Sequence, residues 1–176
     1  MTEAVDGPGS RHEEHDGGWT AGMLDEVLGS GRVRGVRVWS PAPAVADVVA
    51  AADGAHWRCV VLDTAGVTDK KALIAAFGRA FPLPSYLGHN WDALEESLGD
   101  FEPGERAGMI VVWTGWTDYL DADPDGFATV LAICRTSARA WSHRVVGSAV
   151  TLRKPARGLT AAQQAAVASI PRLRPA

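Results

Sequence analysis

The sequence predicts an α/β domain, a small parallel β-sheet of three to four strands covered by helices. Three observations carry that expectation. Compact apolar runs of strand length stand at Trp57–Asp63, Met109–Trp113 and Val145–Leu152. Between them lie longer segments whose apolar residues recur at helical spacing. Strands that alternate with helices at these lengths favour parallel pairing, with the helices on the sheet faces. A chain of 176 residues is one domain with some excess, and 47% hydrophobic content with seven Trp is enough to fill a sizeable core.

The elements follow in order. Residues 1–18 are rich in Gly, Glu, Asp and His with almost no core formers, and are expected as a disordered acidic leader. Order is expected from Trp19. Met23, Leu24, Val27 and Leu28 mark a helix that stops at Gly29-Ser30-Gly31. Gly35–Trp39 alternates like a short strand and ends before Pro41 and Pro43. Val45–Ala52 reads as a helix closed by Asp53-Gly54, and Trp57–Asp63 as a buried strand. Asp69 is placed to cap a helix carrying Leu73, Ile74, Phe77 and Phe81, stopped by Pro82 and Pro84. A loop over Ser85–His89 leads into a helix from Asn90 to about Leu98. Met109–Trp113 is the next buried strand, Phe127–Trp141 a helix, and Val145–Leu152 the last strand. The domain is thus expected over 19–152. Residues 153–176 are expected as a basic extension, with one short Ala-rich helix over Thr160–Ser169.

Charge narrows the choice of partner. Net charge is −4, but the leader holds five acids against Arg11, and the segment after Leu152 holds five basic residues and no acid. The part between therefore carries −5. A body of that sign repels nucleic acid and favours a basic protein partner. No run approaches the roughly 18 apolar residues of a membrane span, and the start of the chain, acidic and polar, lacks a signal-peptide pattern. Cys59 and Cys134 sit in apolar surroundings and are read as buried free thiols, which suits a reducing cytoplasm.

The most informative segment is 83–101, Leu-Pro-Ser-Tyr-Leu-Gly-His-Asn-Trp-Asp-Ala-Leu-Glu-Glu-Ser-Leu-Gly-Asp-Phe. On a helix, Trp91, Leu94 and Leu98 form a core stripe at i, i+3 and i+7. Asp92 and Glu96 lie at i, i+4, Glu95 flanks them, and Asp100 follows one turn on. Like charges at this spacing cost a helix a few tenths of a kcal/mol per pair, which makes such a face worth explaining. No Lys or Arg occurs from Ala80 to Glu105. A solvated acidic face and a surface kept negative for a cationic partner both fit these residues.

The motif Leu83-Pro84-x-Tyr86-x-Gly88-x-Asn90-x-Asp92-Ala93-Leu94 resembles the most characteristic motif of the barstar family. The strand Trp57–Asp63 followed by Gly66–Lys70, the strand ending at Trp113, and the helix through Val130-Leu131 fall at that family's order and spacing. The resemblance covers 57–152, and 19–56 looks like the additional helix-strand-helix lead-in of actinobacterial relatives. It implies a barstar-like fold with no catalysis, cofactor or metal of its own. It also implies a cytoplasmic inhibitor, monomeric when free, of a basic microbial ribonuclease of the barnase-like or related guanyl-preferring type. The partner-binding residues it implies are Tyr86, Gly88, Asn90, Trp91, Asp92, Glu95, Glu96 and Asp100. Tyr86 could pack on the nuclease or on its own core, Gly88 could serve close approach or a turn, and Asn90 the binding loop or only a helix cap. Asp92 and Glu96 would occupy the phosphate position among Arg, Lys and His, accepting charge-assisted hydrogen bonds.

Three positions depart from the family's archetype, which has Trp in place of Glu95, Asp in place of Glu96, and an acid in place of Thr136. They leave open a second reading, a barstar-fold immunity or interaction module for a different basic protein or toxin. A third, an unrecognised enzyme, has only the general capacity of α/β scaffolds behind it. His12 and His15 in the leader are read as incidental to metal binding, and Gly29-x-Gly31-x-x-x-Gly35 misses the dinucleotide fingerprint. Ser97 and His89 form no nucleophile pattern. The basic tail is expected to be solvated, with folding back onto the acidic helix as the alternative.

Overall fold

The computed structural model describes residues 18–85 and 87–174. The acidic leader with His12 and His15, and Tyr86 in the loop, therefore lie outside the described residues. Among those described, seven helices and five strands follow the order α1 (Ala21–Gly29), β1 (Arg34–Trp39), α2 (Val45–Gly54), β2 (Trp57–Asp63), α3 (Lys70–Ala80), α4 (Trp91–Gly99), β3 (Gly108–Thr114), α5 (Trp116–Ala122), α6 (Pro124–Ser142), β4 (Gly147–Arg153), α7 (Ala161–Ala166) and β5 (Arg172–Leu173). The strands form one parallel sheet in the order β2-β3-β4-β1-β5. The sheet has five strands where the sequence predicts three to four. The additional one, β5, spans two residues and pairs only with Val38 and Trp39. A two-residue strand carries no alternation, so pattern reading has nothing to detect.

Both faces of the sheet are covered, which explains why β3 reads as an unbroken apolar run: Gly108 to Trp113 are all buried. On one face Val60, Leu62, Met109, Val111, Trp113, Val150 and Leu152 meet α3, α4, α5 and α6. On the other, Trp57, Ile110, Val112 and Ala149 meet Leu24 and Leu28 of α1 and Val48 and Ala52 of α2. The indole of Trp57 lies across Gly108 and Gly147, its neighbours in register on the next two strands. A Cβ at either glycine would strike that ring, so both positions need glycine for close approach. This also explains why β4 opens at Gly147, two residues later than the sequence suggests. Val146 before it is 64% exposed, and Gly147 is the first residue to lie on the sheet.

Helix α5 is absent from the sequence reading. Its start, Gly115, is left-handed (φ 68°) and supplies no side-chain cap, so no entry signal precedes it. Trp116, Tyr119 and Leu120 nevertheless bury at i, i+3 and i+4. The segment after β4 also differs from a solvated extension. Val167 and Ile170 join the main core, Gln163 is buried and donates to both carboxylate oxygens of Asp121 (3.0 and 2.9 Å), and Val38 N donates to Pro171 O at 3.0 Å. Its attachment is to α5 and β1.

The cysteines are both free; Cys134 is buried, while Cys59, on the edge strand β2, is only half-buried. Burial pushes their thiols up to about 12 and about 11, respectively, so both are poor nucleophiles at neutral pH.

Tyr119 makes a pH-dependent contact. Its hydroxyl donates to Asp123 Oδ2 at 2.9 Å, and Asp123, the N-cap of α6, also accepts from Gly126 N. Burial first, then the bond and charge of Asp123 and the charge of Asp69, hold this phenol well above its usual range. The folded state thus keeps a proton that the unfolded chain releases near pH 10, and stability falls as pH rises past that value. Urea unfolding should show constant stability contributed by this group to about pH 9.5 and a decline above pH 10. Tyr119→Phe should start about 1 kcal/mol lower and decline less steeply. Parallel alkaline limbs in the two proteins would contradict this.

Candidate functional site

The acidic helix is held at both ends. At its start Asn90 Oδ1 accepts from Ala93 N at 2.7 Å, a side-chain N-cap. At its end the last two carbonyls, and that of Phe101 just beyond, find donors on or just after α6. Trp141 Nε1 donates to Leu98 O (2.8 Å), and Arg144 Nη1 to Gly99 O (2.9 Å) and Phe101 O (3.4 Å). Arg144 Nε also lies 3.4 Å from Glu102 Oε1. Leu94 and Leu98 are buried against the core, as the stripe predicts, while Trp91 is half-buried with Lys70 Nζ 4.9 Å above its ring. The preceding loop is tied down by Leu83 N donating to Gly78 O and Leu87 N to Pro84 O, each at 3.0 Å. A cap replacement tests the local role of Asn90: Asn90→Ala should lower stability by about 1 kcal/mol in urea and Asn90→Asp should retain it, whereas equal stability in all three would deny the cap.

Asp92, Glu95, Glu96 and Asp100 are all exposed. Among the described residues none of the four accepts a side-chain hydrogen bond or pairs with a cation; the ion pair found is Arg144–Glu102. Cations absent from the local sequence do approach in space, but Lys70 lies on Trp91, Arg58 on the ring of Phe101 (4.9 Å), and Arg144 on carbonyls and Glu102. Asp92, in the first turn, agrees with the helix dipole. Glu96 and Asp100, in and just after the last turn, oppose it by tenths of a kcal/mol each.

Between loop residues 82–84 and 87–88 on one side and α4 on the other lies an open groove of about 390 Å³. Of the predicted site residues it gathers Gly88, Glu96 and Asp100, with Leu83, Leu87 and Phe101 as apolar walls. Gly88 is at non-positive φ, and a Cβ there would stand 3.3 Å from Asn90 Nδ2, so a side chain would press on the cap. Asp92 and Glu95 do not line the groove and continue the negative surface beside it. Thr136 on α6 is exposed. The apolar walls were missed from sequence because Leu83 and Leu87 stand in the loop before α4 and Phe101 beyond its end, so no single regular element carries all three. Their position on either side of the acidic helix is the signal that was available.

A family model described as Barstar (barnase inhibitor) matches residues 57–153, which include α3, α4, the groove and strands β2 to β4. A search of curated proteins finds no relative that matches the chain. The match spans more than half of the chain and places the acidic helix, its capping loop and the parallel strands within one family pattern; the chain belongs to the barstar family.

Proposed function

We propose that this protein inhibits a small basic ribonuclease by entering its active site with α4 and the loop before it. The observation that carries the reading is a rigidly held helix with four exposed carboxylates left unpaired within the described chain, two of them set against the helix dipole. Groups that oppose the dipole and one another are retained at a cost in stability, and a cationic partner surface offsets that cost on binding. A ribonuclease site that binds phosphate through Arg, Lys and His is such a surface, and Asp92 and Glu96 occupy the place of the RNA backbone there. Inhibition is competitive, without turnover and without cofactor or metal. The proposed partner is barnase-like or a related guanyl-preferring enzyme, and Tyr86, Gly88, Asn90, Trp91, Glu95 and Asp100 complete the contact. The proposed setting is the cytoplasm, with the free inhibitor monomeric. No helix among the described residues is long and apolar enough to cross a membrane.

The departures at Glu95, Glu96 and Thr136 favour one second reading, a module of the same fold that neutralises a different basic protein or toxin. RNA cleavage by a panel of microbial ribonucleases, each titrated with the purified chain, separates the two. Stoichiometric inhibition of a guanyl-preferring member supports the first. Inhibition of none, with capture of another basic protein, supports the second.

A further inference from the structure

Strand β2 is one edge of the sheet, and among the described residues only β3 pairs with it. The opposite edge, β5, is two residues long, and an edge that short offers little to another strand. β2 runs for seven residues in unbroken register with β3, and Trp57–Asp63 contains no Pro and no Lys to blunt it. His56 O accepts from Ala107 N and Thr64 N donates to Thr114 O, so the even-numbered residues turn their backbone groups to β3. Those of Trp57, Cys59, Val61 and Asp63 point outward, toward the open side. The side chains there are unusually apolar for a surface. Among the described residues Val49, Val61 and Val146 are the exposed large hydrophobics, and the first two flank this edge. Val49, Trp57 and Cys59 line a second groove, of about 560 Å³, between α2 and β2. Charge marks the two ends. Arg106 lines the groove beside Trp57, and Asp63 closes the strand. Both are exposed, and among the described residues neither meets an opposite charge within 4 Å. A two-fold pairing of identical edges sets each end against the other, and so sets acid against arginine twice.

We propose that β2 is a docking edge for a second copy of this chain, paired antiparallel about Val60 into one continuous sheet. In that register Trp57 lies opposite Asp63 of the second copy and Cys59 opposite its Val61, so every outward backbone group finds a partner. Residues opposite one another share a face. Val61 is thereby covered by Cys59 on the α2 side, and Val60 meets its own copy on the other. Asp63 arrives on the α2 side at the end that holds Arg106. The edge is distinct from the acidic helix: β2 packs on α2 and α3, whereas α4 packs on α6. The inference does not depend on the ribonuclease reading, and the monomeric free inhibitor proposed above is the dilute end of this equilibrium.

The test follows the full chain from about 5 to about 500 µM by sedimentation velocity and by amide hydrogen exchange. The mean mass should rise from that of one chain toward that of two. Over the same range the amides of Cys59 and Val61 should become protected, whereas those of Val60 and Leu62, which face β3, should stay slow throughout. Val61→Lys places a charge in two symmetric contacts and should weaken the dimer by roughly 100-fold, with the melt of the dilute protein unchanged. Arg106→Gln should weaken it by roughly three- to tenfold, a loss that shrinks in high salt. The mass of a single chain at every concentration overturns the proposal. So does a dimer that forms without protecting Cys59 and Val61, or one that Val61→Lys leaves intact.

Discussion

Replacing Asp92 by Asn and Glu96 by Gln should abolish practical inhibition of the ribonuclease proposed as the target while leaving the protein folded and about as stable as before. The substitutions keep shape and remove charge. A hydrogen bond to a charged group is worth about 1.5–3 kcal/mol, so each loss weakens binding by roughly 10–100-fold. The pair together should therefore shift the inhibition constant by two orders of magnitude or more. Stability responds with opposite signs at the two sites. Asp92 lies in the first turn of α4, where Asn gives up a few tenths of a kcal/mol of dipole stabilisation. Glu96 lies in the last turn, where Gln removes a similar penalty, and the pair also loses its i, i+4 repulsion. Asp92→Asn alone should thus melt slightly lower than the parent, and Glu96→Gln alone slightly higher. That contrast separates loss of contact from loss of structure, because Glu96→Gln should bind worse while being more stable. Association should also lose part of its salt dependence, since opposite net charges speed encounter at low ionic strength. An inhibition constant unchanged in the double variant would end the ribonuclease reading.

Much of this site was legible in the sequence because its parts are local. Asn90 caps α4 from one residue before it, and Leu94, Leu98, Asp92, Glu95 and Glu96 follow from spacing alone on one regular helix, with Asp100 at the residue after its end. The strand Trp57–Asp63 was read with its ends as observed, since a parallel strand buried on at least one face is bounded by its own apolar run. What was missed depends on contacts far along the chain. The clamp on the end of α4 comes from Trp141 and Arg144, more than 40 residues away, and the Lys70–Trp91 contact joins two helices. Neither leaves a trace in a window of one helix. Strand β5 and the packing of 159–170 were hidden for the same reason. Gln163, buried against Asp121, looks on its own like a surface residue of an Ala-rich helix. The groove escaped because Leu83, Leu87 and Phe101 lie outside every regular element, on the two sides of α4, and line one groove only in the folded chain.

The piece 57–153, although it holds the whole family match, should not fold alone, whereas 18–174 should unfold cooperatively. In the full chain β4 pairs along its length with β1 from Arg34↔Ser148 to Trp39↔Arg153, and β1 in turn pairs with β5 at Val38 and Trp39. Cutting at 57 and 153 leaves β4 as an open edge with unpaired backbone groups, a ready template for association. It also strips one whole face. Trp57, Ile110 and Val112, each at most 4% exposed, lose the cover of α1 and α2. The opposite core loses Val36, Val38, Val167 and Ile170. Burial of a large apolar side chain contributes about 1.5–3 kcal/mol, so a handful of such losses reaches the whole stability of an ordinary domain, about 5–15 kcal/mol. The fragment should therefore aggregate or show a broad, non-cooperative melt, and adding 18–56 back to its N-terminus should recover most of the transition. The remaining deficit should be restored by 154–174, through Val167, Ile170 and the Gln163–Asp121 bonds. A soluble 57–153 fragment with a sharp two-state melt would show that the lead-in and tail are accessories. A broad melt regained stepwise would show that, in this chain, the acidic helix is held by a sheet that extends beyond the residues of the family match.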